Sequence, residues 1–211
     1  MTDQIRLAMP LRGRCRVENS PADRLPSHGT TAFGSGYAID LVPVDERGRS
    51  APFAWRGLVG SERPEIFVGF GQPVLAPVAG RVVLVHDAEP DHEARRSQLV
   101  LVPYLLTQAR RVAHGPAGLA GNHVVLAVGD DGPYVLVAHL QQASVRVQVG
   151  QRVAVGDLLG RCGNSGNSTE PHVHLQVTDS TEWTTARGLP FVFGWDDGSV
   201  SLPRNSEIVT G

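Results

Sequence analysis

The sequence predicts a mainly β fold of antiparallel strands, on three observations. Glycine and proline are frequent, 24 and 15 of 211 residues, and fall between short runs rich in valine and leucine. That is the pattern of many short strands joined by tight turns. The runs YAIDLV, VLAPVAGRVVLVH, HVVLAV, YVLVAHL, SVRVQV, RVAVGDLLG and HVHLQV read as strands of ordinary length. The only candidate helix lies within 92–111, where arginine clusters flank an apolar centre that Pro103 interrupts.

Taken in order, YAIDLV (37–42) is a short apolar strand carrying Asp40 near its end. Residues 46–65 form a polar surface loop. GDDGP (129–133) is the turn of an antiparallel hairpin between HVVLAV and YVLVAHL. VQVGQRVAVGD (147–157) repeats Val-x-x-Gly and suggests a tightly turning strand pair, while WTTARGLPFVFGW (183–195) is a closing segment with aromatic anchors. A chain of this length buries one substantial core. The expected organisation over 1–211 is a single domain: an N-terminal extension packing on the core (1–26), the core itself (27–180) and a C-terminal closing segment (181–211).

Charge excludes two partner classes. With 19 basic against 21 acidic side chains and a net charge of −2, there is no basic face for nucleic acid and no polybasic patch for an anionic membrane. The longest apolar run, LVLVPYLL (99–106), is broken by Pro103, so no membrane insertion is expected. MTDQIRLAMPLRGRC lacks the apolar stretch of a secretory signal, which makes a cytoplasmic address the expectation from the residues alone. Cys15 and Cys162 are too few for a disulfide framework. They pair only if the N-terminal segment packs beside the loop at 160–170. The oligomeric state is left open.

The strongest local signal is CGNSGNSTEPHVHLQV (162–177). Alternate side chains of a strand share a face, so His172, His174 and Gln176 point one way and Val173, Leu175 and Val177 the other. Two imidazoles about 7 Å apart are then available to one site. His139 follows Val135 and Val137 in parity; alone it reads as a partly buried histidine bonded to backbone. Asp40 alone reads as a turn initiator. Together with His28, these groups match a hydrolytic zinc site, which uses three His/Asp/Glu ligands, an open position for water and nearby proton-handling groups. No HExxH helix supplies a glutamate base. His86, His92 and His114 sit at a strand edge or in loops; His123 begins a strand near the expected floor of the site.

The motifs also carry a family resemblance. GQPVLAPVAGRVV (71–83), GNHVVL (121–126), YVLVAHL (134–140), VQVGQRVAVGDLLG (147–160) and GNSGNSTEPHVHLQV (163–177) stand in the order and spacing of peptidase family M23, the LytM/lysostaphin-type zinc metallopeptidases. The resemblance implies a duplicated-hairpin, LytM-like β scaffold with long connecting loops. It implies zinc as cofactor, with Asp40 and His174 as ligands and His139 and His172 as the catalytic pair. The natural substrates would be peptidoglycan cross-links or other glycine-containing peptides, which brings in a cell-envelope or extracellular address as the alternative. The family pattern His-x-x-x-Asp places a histidine at position 36, where this chain has Gly36. His28, twelve residues before Asp40 with Gly29, Gly34 and Gly36 between, is expected to double back as the third ligand. Gly36 also invites another reading, a catalytically inactive binding or regulatory module, against which stands the retention of Asp40, His139, His172 and His174. Asn19, Asp23 and Asn122 could approach an open metal position, and nothing in the sequence singles one out.

Overall fold

The computed structural model describes residues 5–52, 60–95 and 115–211. Most of the segment expected to hold a helix, from residue 96 onward, lies outside the described residues, as does the middle of the 46–65 loop.

In chain order the described elements are β1 (Ile5–Leu7), β2 (Arg14–Glu18), β3 (Ile39–Pro43), β4 (Pro73–Leu75), β5 (Gly80–His86), α1 (Gly115–Ala120), β6 (Asn122–Ala127), β7 (Tyr134–Leu140), β8 (Arg152–Val153), β9 (Leu158–Arg161), β10 (Val173–Thr178), β11 (Phe191–Gly194), β12 (Val200–Ser201) and β13 (Ile208–Thr210). Eight of them form one sheet in the order β13-β2-β3-β10-β7-β6-β5-β8, with β1-β11-β12 and β4-β9 as smaller sheets. Every pairing in the large sheet is antiparallel. β1 beside β11 departs from this and is parallel. The mainly β architecture follows from the alternating short runs, and the GDDGP turn closes the β6–β7 hairpin with a Val128 N–H to Pro133 carbonyl bond of 2.9 Å.

Alternation sorts the sheet into two faces. Ile39, Leu41, Val124, Leu126, Val135, Val137, Val173, Leu175 and Val177 point into the main core, where Leu7, Phe191 and Phe193 cover them. Burying each such side chain contributes about 1.5–3 kcal/mol. The other face carries a smaller apolar cluster of Ala120, Val125, Leu136 and Ala138, and beside it the polar groups described next.

SVRVQV, expected as a strand, is not one. Its amides bond to unrelated places: Val145 to the Asp87 carboxylate (3.2 Å), Arg146 to the Leu159 carbonyl (2.8 Å) and Gln148 to the Gln151 side chain (3.1 Å). No ladder can form from such bonds.

Candidate metal centre

β3 and β10 come from distant parts of the chain and pair antiparallel, with Asp40 directly opposite His174. Both side chains leave the sheet on the face away from the main core. His174 Nδ1 stands 2.9 Å from Asp40 Oδ1, and His174 Nε2 faces Gln176 Oε1 at 3.0 Å.

The third member arrives by a loop. Ser27 N–H donates to the Gly36 carbonyl (3.0 Å), Ser27 Oγ to the Ser35 carbonyl (3.2 Å), and Arg24 Nε–H to the Ser27 carbonyl (2.9 Å). These bonds fold the chain back so that His28 Nε2 stands 3.1 Å from Asp40 Oδ2, while its Nδ1 meets Ser27 Oγ at 3.0 Å. Space is not what keeps a larger residue from position 36: a Cβ on Gly36 would meet Thr31 Cγ2 at an ordinary 3.5 Å.

His28, Asp40 and His174 thus present ligand atoms within 4.8 Å of one another. The His28 and His174 nitrogens approach different oxygens of the Asp40 carboxylate, at 3.1 and 2.9 Å, so the carboxylate stands between the two imidazoles. The outer nitrogens suit the same purpose. Ser27 Oγ and Gln176 Oε1 can each accept an imidazole N–H, leaving His28 Nε2 and His174 Nδ1 with lone pairs toward Asp40. A His-His-Asp cluster able to coordinate a metal is therefore built into the fold.

His139 and His172 flank the cluster, their ring centroids 4.7 Å apart. Strict alternation along β7 would send His139 into the main core with Val135 and Val137. A bulge prevents this: Leu140 stands opposite Asn122 but Val137 opposite Val124, so β7 places two residues against one. His139 takes φ +61° there, and its ring turns to the site face. Its Nδ1–H donates to the Ser165 carbonyl at 2.9 Å. The loop bearing Ser165 lies so close to Gly121 that a Cβ on Gly166 would fall 2.3 Å from the Gly121 nitrogen. His172 precedes β10, donates Nδ1–H to the Glu170 carbonyl (2.8 Å), and holds Nε2 3.5 Å from Asp40 Oδ1.

The two rings differ in basicity. Burial, and then the neighbouring His172 and His174, hold His139 well below the ordinary histidine value. Burial alone would lower His172 too, but the Asp40 carboxylate outweighs it and lifts His172 to about 9. Asp40, which burial alone would raise, is held well below the usual carboxylate range by His28 and His172.

Of the three residues that could approach an open metal position, the fold brings Asn19 to the site: its Nδ2–H donates to Asp40 Oδ2 at 2.7 Å. Asp23 pairs with Arg204 (3.0 Å), and Asn122 is buried on Glu89 and Leu140. Gln176 was readable from strand parity. Phe33 and Trp183, which line a cavity of about 380 Å³ running from the cluster, carried no signal in the sequence. Cys15 and Cys162 are both buried and unpaired.

The sequence profile of peptidase family M23 matches residues 107–185. Glycyl-glycine endopeptidase ALE-1 of Staphylococcus capitis is 34% identical over 90 residues, 41% of this chain and 24% of that longer protein. Among solved structures, the catalytic domain of lysostaphin from Staphylococcus simulans aligns over 73% of this chain and 77% of its own, with TM-score 0.40 and 20% identity. The catalytic domain of the prophage-encoded M23 protein EnpA from Enterococcus faecalis aligns over 58% and 69%, with TM-score 0.38 and 20% identity.

Among the described residues no helix is long and apolar enough to cross a membrane. The cytoplasmic address expected from the N-terminus is overturned: homology to cell-wall and extracellular M23 peptidases favours the cell envelope or the exterior. That expectation leaned on what the first residues lack, which carries no weight against kinship. Over residues 107–185, which include His139, His172 and His174, the chain is therefore similar to peptidase family M23.

Proposed function

We propose that this chain is a zinc-dependent endopeptidase acting on peptidoglycan-type peptides, with His28, Asp40 and His174 as metal ligands and His139 and His172 as the catalytic pair. One observation carries the reading. Both flanking imidazoles spend Nδ1–H on a backbone carbonyl beside the His28–Asp40–His174 cluster, which leaves each Nε2 available to handle a proton. Two such nitrogens suit the acceptor and donor roles that peptide hydrolysis needs.

A zinc ion held by the three ligands would polarise the peptide carbonyl and make a water molecule more acidic. His139, neutral, accepts the proton of the attacking water at Nε2. His172, protonated, donates Nε2–H to the oxygen on which negative charge develops. The proton taken by His139 then passes to the leaving amine as the C–N bond breaks. Asn19 holds Asp40 Oδ2, and Gln176 holds the outer face of His174, so the ligands keep their orientation. The name of the relative, glycyl-glycine endopeptidase, supports peptide bonds as the substrate class.

A second reading uses the same fold as a binding or regulatory module without turnover. Gly36 favours it, standing where the family pattern has a histidine, and so does a cluster whose polar atoms already satisfy one another. One experiment separates the two: zinc content by elemental analysis, followed by cleavage of peptidoglycan peptides with wild type and His139→Ala. Near one zinc per chain, with cleavage that His139→Ala abolishes, supports the peptidase. Folded protein that retains no zinc and cleaves nothing supports the module.

A further inference from the structure

Glu170 stands two residues before His172, and its side chain is only 12% exposed. A buried acid persists only with partners, and Glu170 draws them from far along the chain. Ser50 Oγ–H donates to Glu170 Oε2 at 2.5 Å, and Arg16 Nη2 stands 3.7 Å from Glu170 Oε1. Burial still raises the carboxyl above its ordinary value, against the pull of Ser50 and Arg16.

Both partners are themselves held. Arg16, in β2, donates Nε–H and Nη2–H to Glu18 Oε1 (3.1 and 2.9 Å) and Nη1–H to the Gly48 carbonyl (3.2 Å). Ser50 is buried, and its carbonyl accepts the Val68 N–H at 2.8 Å. The Glu170 carboxylate is thus moored to β2 and to the turn after β3, which lie outside the residues matched by the M23 profile.

The main chain of the same residue meets the site. The Glu170 carbonyl accepts His172 Nδ1–H at 2.8 Å and Ser168 Oγ–H at 2.7 Å. With Nδ1 tied there, the ring holds Nε2 3.5 Å from Asp40 Oδ1. Pro171, buried between the two residues, makes the link stiff. Proline fixes its own φ and restricts the residue before it. Gly69 closes over this link: a Cβ there would fall 3.0 Å from the Pro171 carbonyl oxygen.

We infer that Glu170 is a positioning residue for His172: its carboxylate, moored by Ser50 and Arg16, holds its own carbonyl against the His172 ring and so ties β2 to the site. This rests on the peptidase reading above for the effect on turnover, but not for the hold on the ring. Filling the place alone requires no acid, since an apolar side chain of the same size would do so without desolvating a charge. Loss of the mooring lets the carbonyl and the ring drift, and a misplacement of about 1 Å lowers a rate by about 100-fold.

The test compares wild type, Glu170→Ala and Glu170→Gln as the full, zinc-loaded chain. Imidazole NMR reads the His172 Nδ1–H signal, assigned by its absence in His172→Ala, and zinc content and pentaglycine cleavage are measured in parallel. Glu170→Ala is expected to lose that signal and about 100-fold in kcat, with KM and zinc content unchanged. Glu170→Gln, whose side-chain oxygen still accepts from Ser50, is expected to keep the signal and most of kcat. If Glu170→Ala does not fold, Ser50→Ala takes its place and shifts signal and kcat in the same direction by less. The proposal is overturned by a wild type without the signal, by a signal or kcat untouched in the alanine variant, by loss of zinc along with the signal, or by a glutamine variant no better than alanine. If wild type cleaves neither pentaglycine nor peptidoglycan peptides, the peptidase reading falls and the ring signal alone decides: lost in Glu170→Ala and kept in Glu170→Gln, it supports the hold on His172, and any other pattern overturns it.

Discussion

Asp40 and His174 are directly paired across β3 and β10, and the His174 ring meets the Asp40 carboxylate at 2.9 Å although 134 residues separate them in the chain. The pairing makes two candidate ligands a property of the central sheet, the most buried part of the fold. The third, His28, depends on a surface loop.

Removing any of the three should be read in metal affinity. Asp40→Ala, His174→Ala and His28→Ala are each expected to weaken zinc binding by about a hundredfold or more. Asn19→Ala, which only loses the bond to Asp40 Oδ2, should cost about tenfold. Chelator competition measures all four, and unchanged affinity in His28→Ala would mean that this histidine is not a ligand.

His139→Ala and His172→Ala are expected to keep zinc and lose turnover, by about 10²–10⁴-fold in kcat. Neither ring belongs to the His28–Asp40–His174 cluster. Parallel zinc analysis and peptide cleavage check this, and loss of zinc from either variant would place that residue among the ligands instead.

His123 predicts a pH dependence of stability. Its folded value, about 4, lies below the ordinary 6.5, so between these values the unfolded chain binds a proton that the folded chain refuses. The contribution of the neutral ring is complete above about pH 6.5 and is lost as pH falls toward 4, by at most about 3 kcal/mol. Urea denaturation at several pH values should therefore show a shallower acid decline for His123→Phe than for wild type. Parallel declines would contradict the assignment.

The two thiols should be inert in the folded protein. Burial raises Cys15 to about 12 and raises Cys162 further from the reactive range, with Cys15 and Asp91 adding to the effect at Cys162. Thiolate is the reactive form. A thiol reagent is expected to label neither residue under native conditions and both in denaturant; rapid native labelling would refute this.

Much of the site was legible because strand alternation is a local property. Val173, Leu175 and Val177 are fully buried in the main core, as the pattern of HVHLQV requires, and that orientation alone puts His174 and Gln176 on the opposite face. His139 was not legible from parity: Val135 and Val137 point to the core, and only the bulge opposite His123 turns the ring away from them. Phe33 and Trp183, which line the cavity, are equally silent, since neither stands in a pattern that marks a cleft.

The sequence by itself determined most of the strands, their buried faces and a set of histidines and one aspartate of metal-ligating type. These follow from backbone geometry and side-chain type, which act over a few residues. Tertiary structure decided which of those groups meet. The return of His28 through Ser27 and Gly36, the approach of Asn19 to Asp40, and the pairing of β3 with β10 all rest on hydrogen bonds between residues that are not neighbours in the chain. Such bonds form only once the sheet has brought their partners together, and no local pattern records them.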